Sequence, residues 1–333
     1  MRDAKTELYG GELVTPFERP SRADTVIKAI AQSNLGEILE PETFTMDPVR
    51  AVHSDDFIAF LETAWQEWQD AGFTGEAIAS SWPARRMQSR VPTSIDGKIG
   101  YYALAAETSI TEGTWAAVLA SKDVALTGAK ALHRGEQGVF SLCRPPGHHA
   151  ASDMFGGYCF LNNAAIAAQY LCDQGAKRAA ILDIDFHHGN GTQDIFYDRD
   201  DVIFCSLHGD PQQAFPYFLG YADETGSGKG LGYNLNYPMP RDTGFTQWQQ
   251  SLTAALAKLD EFSPQYLIVS LGVDTFENDP ISFFKLTTAD YFTTGAMIAE
   301  LRIPTLFVME GGYDIDEVGI NVLEVLKGFE SVK

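Results

Sequence analysis

The spacing of apolar and polar positions changes character along this chain. Up to about residue 80 the clearest signal is helical. "SDDFIAFLETAWQEWQDAG" repeats apolar residues three and four apart, with Ser54 and Asp55 placed to cap it and Gly72 to end it. Residues 81–100, "SWPARRMQSRVPTSIDGKIG", lose the pattern and hold two Pro, two Gly and three Arg (Arg85, Arg86, Arg90). That predicts a long loop, and loops beyond about 12–15 residues usually carry function or an interaction. A helix is then expected through "YYALAAETSITEGTWAAVLASKDVALTGAKAL", interrupted near Gly113.

Beyond that point short apolar runs alternate with helical patterns. "VFSLC", "AAILDIDF", "DVIFCSLH", "YNLNYPM", "YLIVSLGVD" and "PTLFVMEGGY" read as strands. "NNAAIAAQYLCDQGA", 246–262, 288–302 and 315–329 read as helices. Near-continuous apolar strands separated by helices predict a parallel sheet covered on both faces. The pattern predicts one α/β domain, without internal repeat, low-complexity tract or dividing linker.

Composition narrows the partners. No apolar run approaches the roughly 18–20 residues of a membrane span, and "MRDAKTELYGGEL" has no apolar signal core. Cys143, Cys159, Cys172 and Cys205 form no C-x-x-C pair, so a reducing cytoplasm is the expected compartment. The net charge of −21, from 45 acids against 24 bases, argues against nucleic acid. It permits a cationic substrate, although acidity for solubility alone is common.

In parallel sheets, ligands bind beyond the carboxyl ends of the strands, and the unusual polar residues fall there. His148 and His149 follow "VFSLC"; Asp185, His187 and His188 follow "AAILDID"; His208, Asp274 and Tyr313 follow three more strands. Five of seven His lie between 148 and 208. On an extended segment Asp185 and His187 point the same way, so both reach one metal, which Asp274 completes. One His and two carboxylates with open positions make a catalytic pattern that suits zinc, while ferrous iron or cobalt also fits. A structural ion pair would explain an isolated D-x-H, but not its convergence with Asp274 and the His148–His149 pair. Asp183 and Asn190 are placed to orient one His ring each. Tyr313, after Gly311-Gly312, offers a phenol donor for an oxyanion.

The motifs "CRPPGHHA", "GGYCFLNNAAIAA", "ILDIDFHHGNGTQDIFY", "SLHGDP", "SLGVDTFENDP" and "MEGGY" resemble the histone deacetylase superfamily. The chain is most similar to the bacterial acetylpolyamine amidohydrolases within it, through "AKTELYGGEL", "RVPTSIDGKIGYY" and "AAETSI". The resemblance implies a single-domain, three-layer arginase–deacetylase fold over residues 1–333, with a mostly parallel central sheet. It implies zinc on Asp185, His187 and Asp274, with His149 as general base and acid, His148 as its helper and Tyr313 as oxyanion donor. Tyr158 and Phe215 would line an aromatic tunnel, and the Gly157 carbonyl would receive the substrate amide N–H. Asp183, Asp185, His187, Ser206 and Leu207 fall where the family holds potassium. Glu107 and Asp96 lie at about the positions of acidic polyamine contacts. The expected substrate is a small cationic acetylated amine, and loop 81–100 would narrow the entrance and pair in a homodimer.

Two departures stand out. Many deacetylases carry Asp where this chain has Asn190, a neutral partner that leaves His149 neutral and available as a base. Family members usually open with a strand before "AKTELYGGEL", where this chain has only Met1-Arg2-Asp3, so either the chain is shortened or the sheet lacks that edge. Among rival readings, a protein lysine deacylase shares the chemistry, and the long loop argues against it. A ureohydrolase needs two manganese ions and more carboxylates than His188 and Asn190 offer. An inert binder would have lost a ligand or Tyr313.

Overall fold

The computed structural model describes residues 3–332. Met1 and Arg2, part of the expected difference at the amino end, lie outside the described residues. The chain opens with a hairpin, β1 (Glu7–Tyr9) and β2 (Glu12–Val14), turned by Gly10-Gly11. Helices α1 (Pro20–Ser33), α2 (Asp47–Arg50), α3 (Asp55–Asp70), α4 (Ile95–Tyr102) and α5 (Thr114–His133) follow. The remainder alternates: β3 (Gly138–Ser141), α6 (Asn163–Asp173), β4 (Ala179–Asp183), α7 (Asn190–Phe196), β5 (Val202–Gly209), β6 (Asn234–Met239), α8 (Phe245–Phe262), β7 (Tyr266–Leu271), α9 (Thr288–Ala299), β8 (Thr305–Met309) and α10 (Val318–Glu330).

The six strands β3 to β8 form one sheet in the order β3-β8-β7-β4-β5-β6, parallel throughout. Alternation along β4 decides the layers. Ala179 and Ile181 join the core under α3, α5 and α6, while Ala180 and Leu182 join the core under α8, α9 and α10. A sheet buried on both faces has no polar side to show, which is why its strands read as continuous apolar runs.

The chain winds outward from β4 through β5 and β6 on one side, and β7, β8 and β3 build the other. The strand order therefore reverses between β4 and β7, and a crevice opens beyond their carboxyl ends. Asp183 pairs in register with Ser270, so the segments carrying Asp185 and Asp274 leave the sheet at one level.

Three local expectations are corrected. The irregular loop ends at residue 94, because Ile95, Ile99 and Tyr102 share a buried helical face that packs on α3; the Phe60 and Tyr102 rings stack at 4.6 Å. Gly97 and Gly100 hid that periodicity, yet Gly100 is needed: a Cβ there would lie 1.8 Å from the Ser81 carbonyl oxygen. Residues 103–113 are not helical. Their backbone is claimed elsewhere, with Leu104 N–H donating to Phe155 O at 2.7 Å and Ile110 exchanging bonds with Ala77. Finally, β4 ends at Asp183, so Asp185 and His187 lie beyond the strand. Consecutive Asx turns hold them: Asp183 Oδ1 accepts Asp185 N–H at 3.1 Å, and Asp185 Oδ1 accepts His187 N–H at 2.9 Å. The periodicity also gave no hint of α1, α7 or the β1–β2 hairpin.

Candidate active site

Asp185, His187 and Asp274 converge at the crevice. Their donor atoms lie within 4.8 Å of one another, and all three side chains are buried. His187 Nδ1 sits 3.2 Å from Asp185 Oδ1 and 2.9 Å from Asp274 Oδ2. Backbone amides hold the remaining oxygens: Gly311 N–H donates to Asp185 Oδ2, and Phe186 N–H to Asp274 Oδ1, both at 2.8 Å. Burial and the neighbouring Asp185 push Asp274 up to about 6. Burial would raise Asp185 too, but the His148 and His187 rings hold it below the usual carboxylate range. Two buried carboxylates around one imidazole are costly without a cation, and the N/O donor set fits a zinc-type ion. Gly311 leaves the room: a Cβ there would meet Asp185 Oδ2 at 2.5 Å and Asp274 Oδ2 at 2.6 Å. A second buried group, His148, Cys159 and Glu310, is less suited to a metal. Burial and Glu310 push its thiol up, and its His and Glu are engaged elsewhere.

The two adjacent imidazoles have different partners. His148 Nδ1 meets Asp183 Oδ2 at 2.9 Å, and His149 Nδ1 meets Asn190 Oδ1 at 2.7 Å. Burial alone would lower His148, but Asp183 and Asp185 outweigh it and hold that ring well above its ordinary value. His149 is held well below, by burial and by the His148 and His187 rings. The turn carrying both is gripped from two sides. Glu310 Oε2 accepts the amides of Gly147 and His148, while Gly191 and Thr192 at the start of α7 donate to His148 O.

Tyr313 enters from the end of β8. Arg22 of α1 reaches across to fix its approach: Nε donates to Gly312 O and Nη2 to Glu310 O, each at 2.6 Å, with the guanidinium 4.6 Å from the Tyr313 ring centre. Tyr313 N–H donates to Asp279 Oδ2 at 2.8 Å. Above these groups opens a cavity of about 440 Å³, lined among others by Glu107, His149, Gly157, Tyr158, Phe215 and Tyr313. Phe215 stands edge-on to His149 at 5.0 Å, and Tyr158 to Tyr313 at 5.6 Å. Gly157 adopts φ +54 against the base of the cavity, where a Cβ would lie 2.1 Å from His149 Cδ2. Glu107 Oε1 accepts the Gly157 amide at 2.8 Å.

Comparison with known proteins agrees with this geometry. The histone deacetylase domain family matches residues 16–329. The chain belongs to that family. It is 57% identical over 328 residues to an acetylpolyamine amidohydrolase of Mycoplana ramosa, covering 98% of this chain and 96% of that one. It is 53% identical to acetylpolyamine amidohydrolase 2 of Pseudomonas aeruginosa, covering 100% of this chain and 96% of that one. The crystal structure of an acetylpolyamine aminohydrolase from Burkholderia pseudomallei superimposes with a TM-score of 0.94 at 37% identity, over 99% of this chain and 96% of the other. The three-layer architecture is thus the deacetylase fold, and the chain is a hydrolase of the histone deacetylase family.

Within this deacetylase fold Asp96 and His208 stand apart from both the cavity lining and the Asp185–His187–Asp274 group. Asp96 is exposed on α4, off the face that Ile95 and Ile99 bury, and its side chain is bonded by the Ser80 hydroxyl at 3.5 Å. His208 is fully buried on β5, between the Ser206 hydroxyl and Gly220 O, each 2.8 Å away; it braces the loop behind Phe215. Ser206 and Leu207 are buried on the same strand, with Asp183 in register against Ser206. Sequence reasoning missed Arg22 and Glu7, whose carboxylate accepts the Tyr158 hydroxyl at 2.6 Å. Nothing local marks either one. Glu310 left a signal, an acid closing the apolar run "TLFVME".

Proposed function

We propose that this protein is a zinc-dependent amidohydrolase that removes acetyl groups from acetylated polyamines and related small amines. The observation that carries this reading is the buried Asp185–His187–Asp274 group, whose His187 lines the same cavity as His149 and Tyr313. The names of the similar proteins support the substrate class. A bound zinc supplies Lewis acidity, polarising the amide carbonyl and making water acidic enough to attack near neutral pH. The rest falls to the chain. His149, with Nδ1 on Asn190 Oδ1, keeps Nε2 free to take the proton of the attacking water and return it to the leaving nitrogen. His148, protonated against Asp183, stays beside it as a fixed positive charge. The Tyr313 hydroxyl donates to the developing oxyanion. Tyr158 and Phe215 flank the methylene chain, and the Gly157 carbonyl accepts the amide N–H. Rates on acetylputrescine, acetylcadaverine, acetylspermidine and an acetyl-lysine peptide test the reading; a clear preference for the peptide would overturn it.

We assign the backbone carbonyls around Asp183, Asp185, His187, Ser206 and Leu207 to a structural potassium ion. The described residues act as one catalytic domain in this proposal, and four free cysteines accord with a cytoplasmic setting. The stretch before α4 exposes Met87 (72%), Val91 (45%) and Trp82 (44%), an apolar set that a homodimer would cover. A monomer in analytical ultracentrifugation would remove that assignment.

Two variants separate the roles. His149 lines the cavity and His148 does not, so His149→Ala is expected to lower kcat more than His148→Ala. The reverse order would exchange their roles. Glu107 is the acid we assign to the far ammonium of the substrate. Glu107→Gln keeps an oxygen for the Gly157 amide but loses the charge. A partly exposed ion pair is worth about 0–1 kcal/mol, so KM for acetylated diamines should rise by up to about fivefold. A neutral acetylated amine of equal length should be nearly unaffected; equal effects on both would make Glu107 a wall rather than a charge reader.

A further inference from the structure

The cavity carries acids held by neighbouring donors and a cation with no acid beside it. Glu7 accepts the Tyr158 hydroxyl at 2.6 Å and the Phe17 amide at 3.1 Å. Glu107 Oε1 accepts the Gly157 amide at 2.8 Å and the Thr108 hydroxyl at 2.9 Å. Arg241 also lines the cavity, and among the described residues its guanidinium has no carboxylate partner. In a chain of net charge −21 this is an unusual place for an unmatched cation.

Arg241 is nevertheless held. Its guanidinium lies over the Phe283 ring, 4.3 Å from the centre. Phe283 stands edge-on to Phe186 at 4.7 Å, and Phe186 edge-on to His187 at 4.9 Å. The backbone beside it is tied as well: Asp242 N–H donates to Phe283 O at 3.1 Å and Lys285 N–H to Thr243 O at 2.9 Å. The cation, itself part of the cavity lining, is thus linked through three rings to His187.

A planar guanidinium fixed by a ring is suited to a planar oxyanion, which it binds through parallel N–H donors, and the carboxylate is the one that a small acetylated amine can carry. We propose that Arg241 binds the carboxylate of a second substrate class, free α-amino acids acetylated on their terminal nitrogen, such as ε-N-acetyl-lysine. This inference rests on the deacetylase reading above. The reaction is the same hydrolysis: the oxygen of water bonds to the acetyl carbon, the C–N bond breaks, and the departing nitrogen takes the proton. The products are acetate and the free diamino acid, with no further reactant. The α-ammonium of such a zwitterion has the second carboxylate oxygen of Glu107 available, as the terminal ammonium of a diamine does, because both hydrogen bonds to Glu107 fall on Oε1. An acetyl-lysine within a peptide has no carboxylate at that position and gains nothing from Arg241.

Acetylcadaverine is ε-N-acetyl-lysine without its carboxylate, so the pair isolates this one contact. The experiment measures kcat/KM for both on the metal-loaded protein, its Arg241→Ala variant and its Arg241→Lys variant. The unmodified protein should turn over both. Arg241→Ala should lower the acetyl-lysine to acetylcadaverine ratio about three- to tenfold, through KM, as expected for a charged hydrogen bond in a half-exposed setting. Arg241→Lys should restore part of the ratio, and added salt should shrink the difference. An unchanged ratio in Arg241→Ala, or acetylcadaverine turnover without measurable acetyl-lysine turnover, would overturn the proposal. Failure on acetylcadaverine and acetylputrescine alike would instead bring down the deacetylase reading, and this inference with it.

Discussion

Stripping divalent metal from the protein is expected to abolish amide hydrolysis, and one equivalent of zinc per chain should restore it. The expectation follows from the charges at the floor of the cavity. Asp185 and Asp274 are both fully buried, and their oxygens converge on one imidazole nitrogen. Without a cation this arrangement leaves like charges facing each other in a poorly solvated place, which is why Asp274 is pushed up to about 6. A divalent ion held by Asp185, His187 and Asp274 would relieve that repulsion. Asp274→Ala removes one carboxylate and leaves Phe186 N–H without its acceptor. It should therefore lower both zinc content and activity to near background, with the two losses in step. Elemental analysis beside steady-state rates provides the check. Full activity in protein shown to be metal-free would sink the mechanism.

The Tyr313→Phe substitution should separate chemistry from binding. It removes one hydroxyl and little volume from a buried ring. The ring's placement depends on contacts that the variant keeps: Arg22 over its face, the Tyr313 amide on Asp279, and Arg22 on the carbonyls of Glu310 and Gly312. What would be lost is the donor we propose for the oxyanion, a type of contact worth about 2.7–4 kcal/mol, or roughly a hundred- to a thousandfold in kcat. Zinc content and KM should stay near their original values. A near-normal kcat would assign the oxyanion to another group. Burial holds the Tyr313 phenol well above its ordinary value, so it remains a donor throughout the working pH range.

Much of the candidate site was legible from the chain alone, for a physical reason. Asp183, Asp185, His187 and Asn190 fall within eight residues, and Asx turns hold the first three in place through contacts two residues apart. Local contacts of this kind leave their mark in sequence order. The strands were legible too, because a sheet buried on both faces tolerates only apolar runs. Those runs place Asp274 and Tyr313 at strand ends, where a parallel sheet gathers its ligands.

Tertiary structure decided what depends on contacts between distant segments. Residues 103–113 carry a helix-like composition, yet their amides pair with Ala77 and Phe155, and that pairing carries Glu107 to Gly157 at the cavity. Asp96 and Glu107 stood equally near the expected entrance in the sequence; the burial of Ile95 and Ile99 turned one to solvent, while the bridge to Phe155 turned the other inward. Arg22 lies 288 residues from the carbonyl of Glu310 that it holds. Arg241 lies at the cavity over Phe283, which packs against Phe186 beside His187. Periodicity records which face of an element is buried. Which distant side chain meets that face is decided when the layers pack, and no spacing along the chain carries that information.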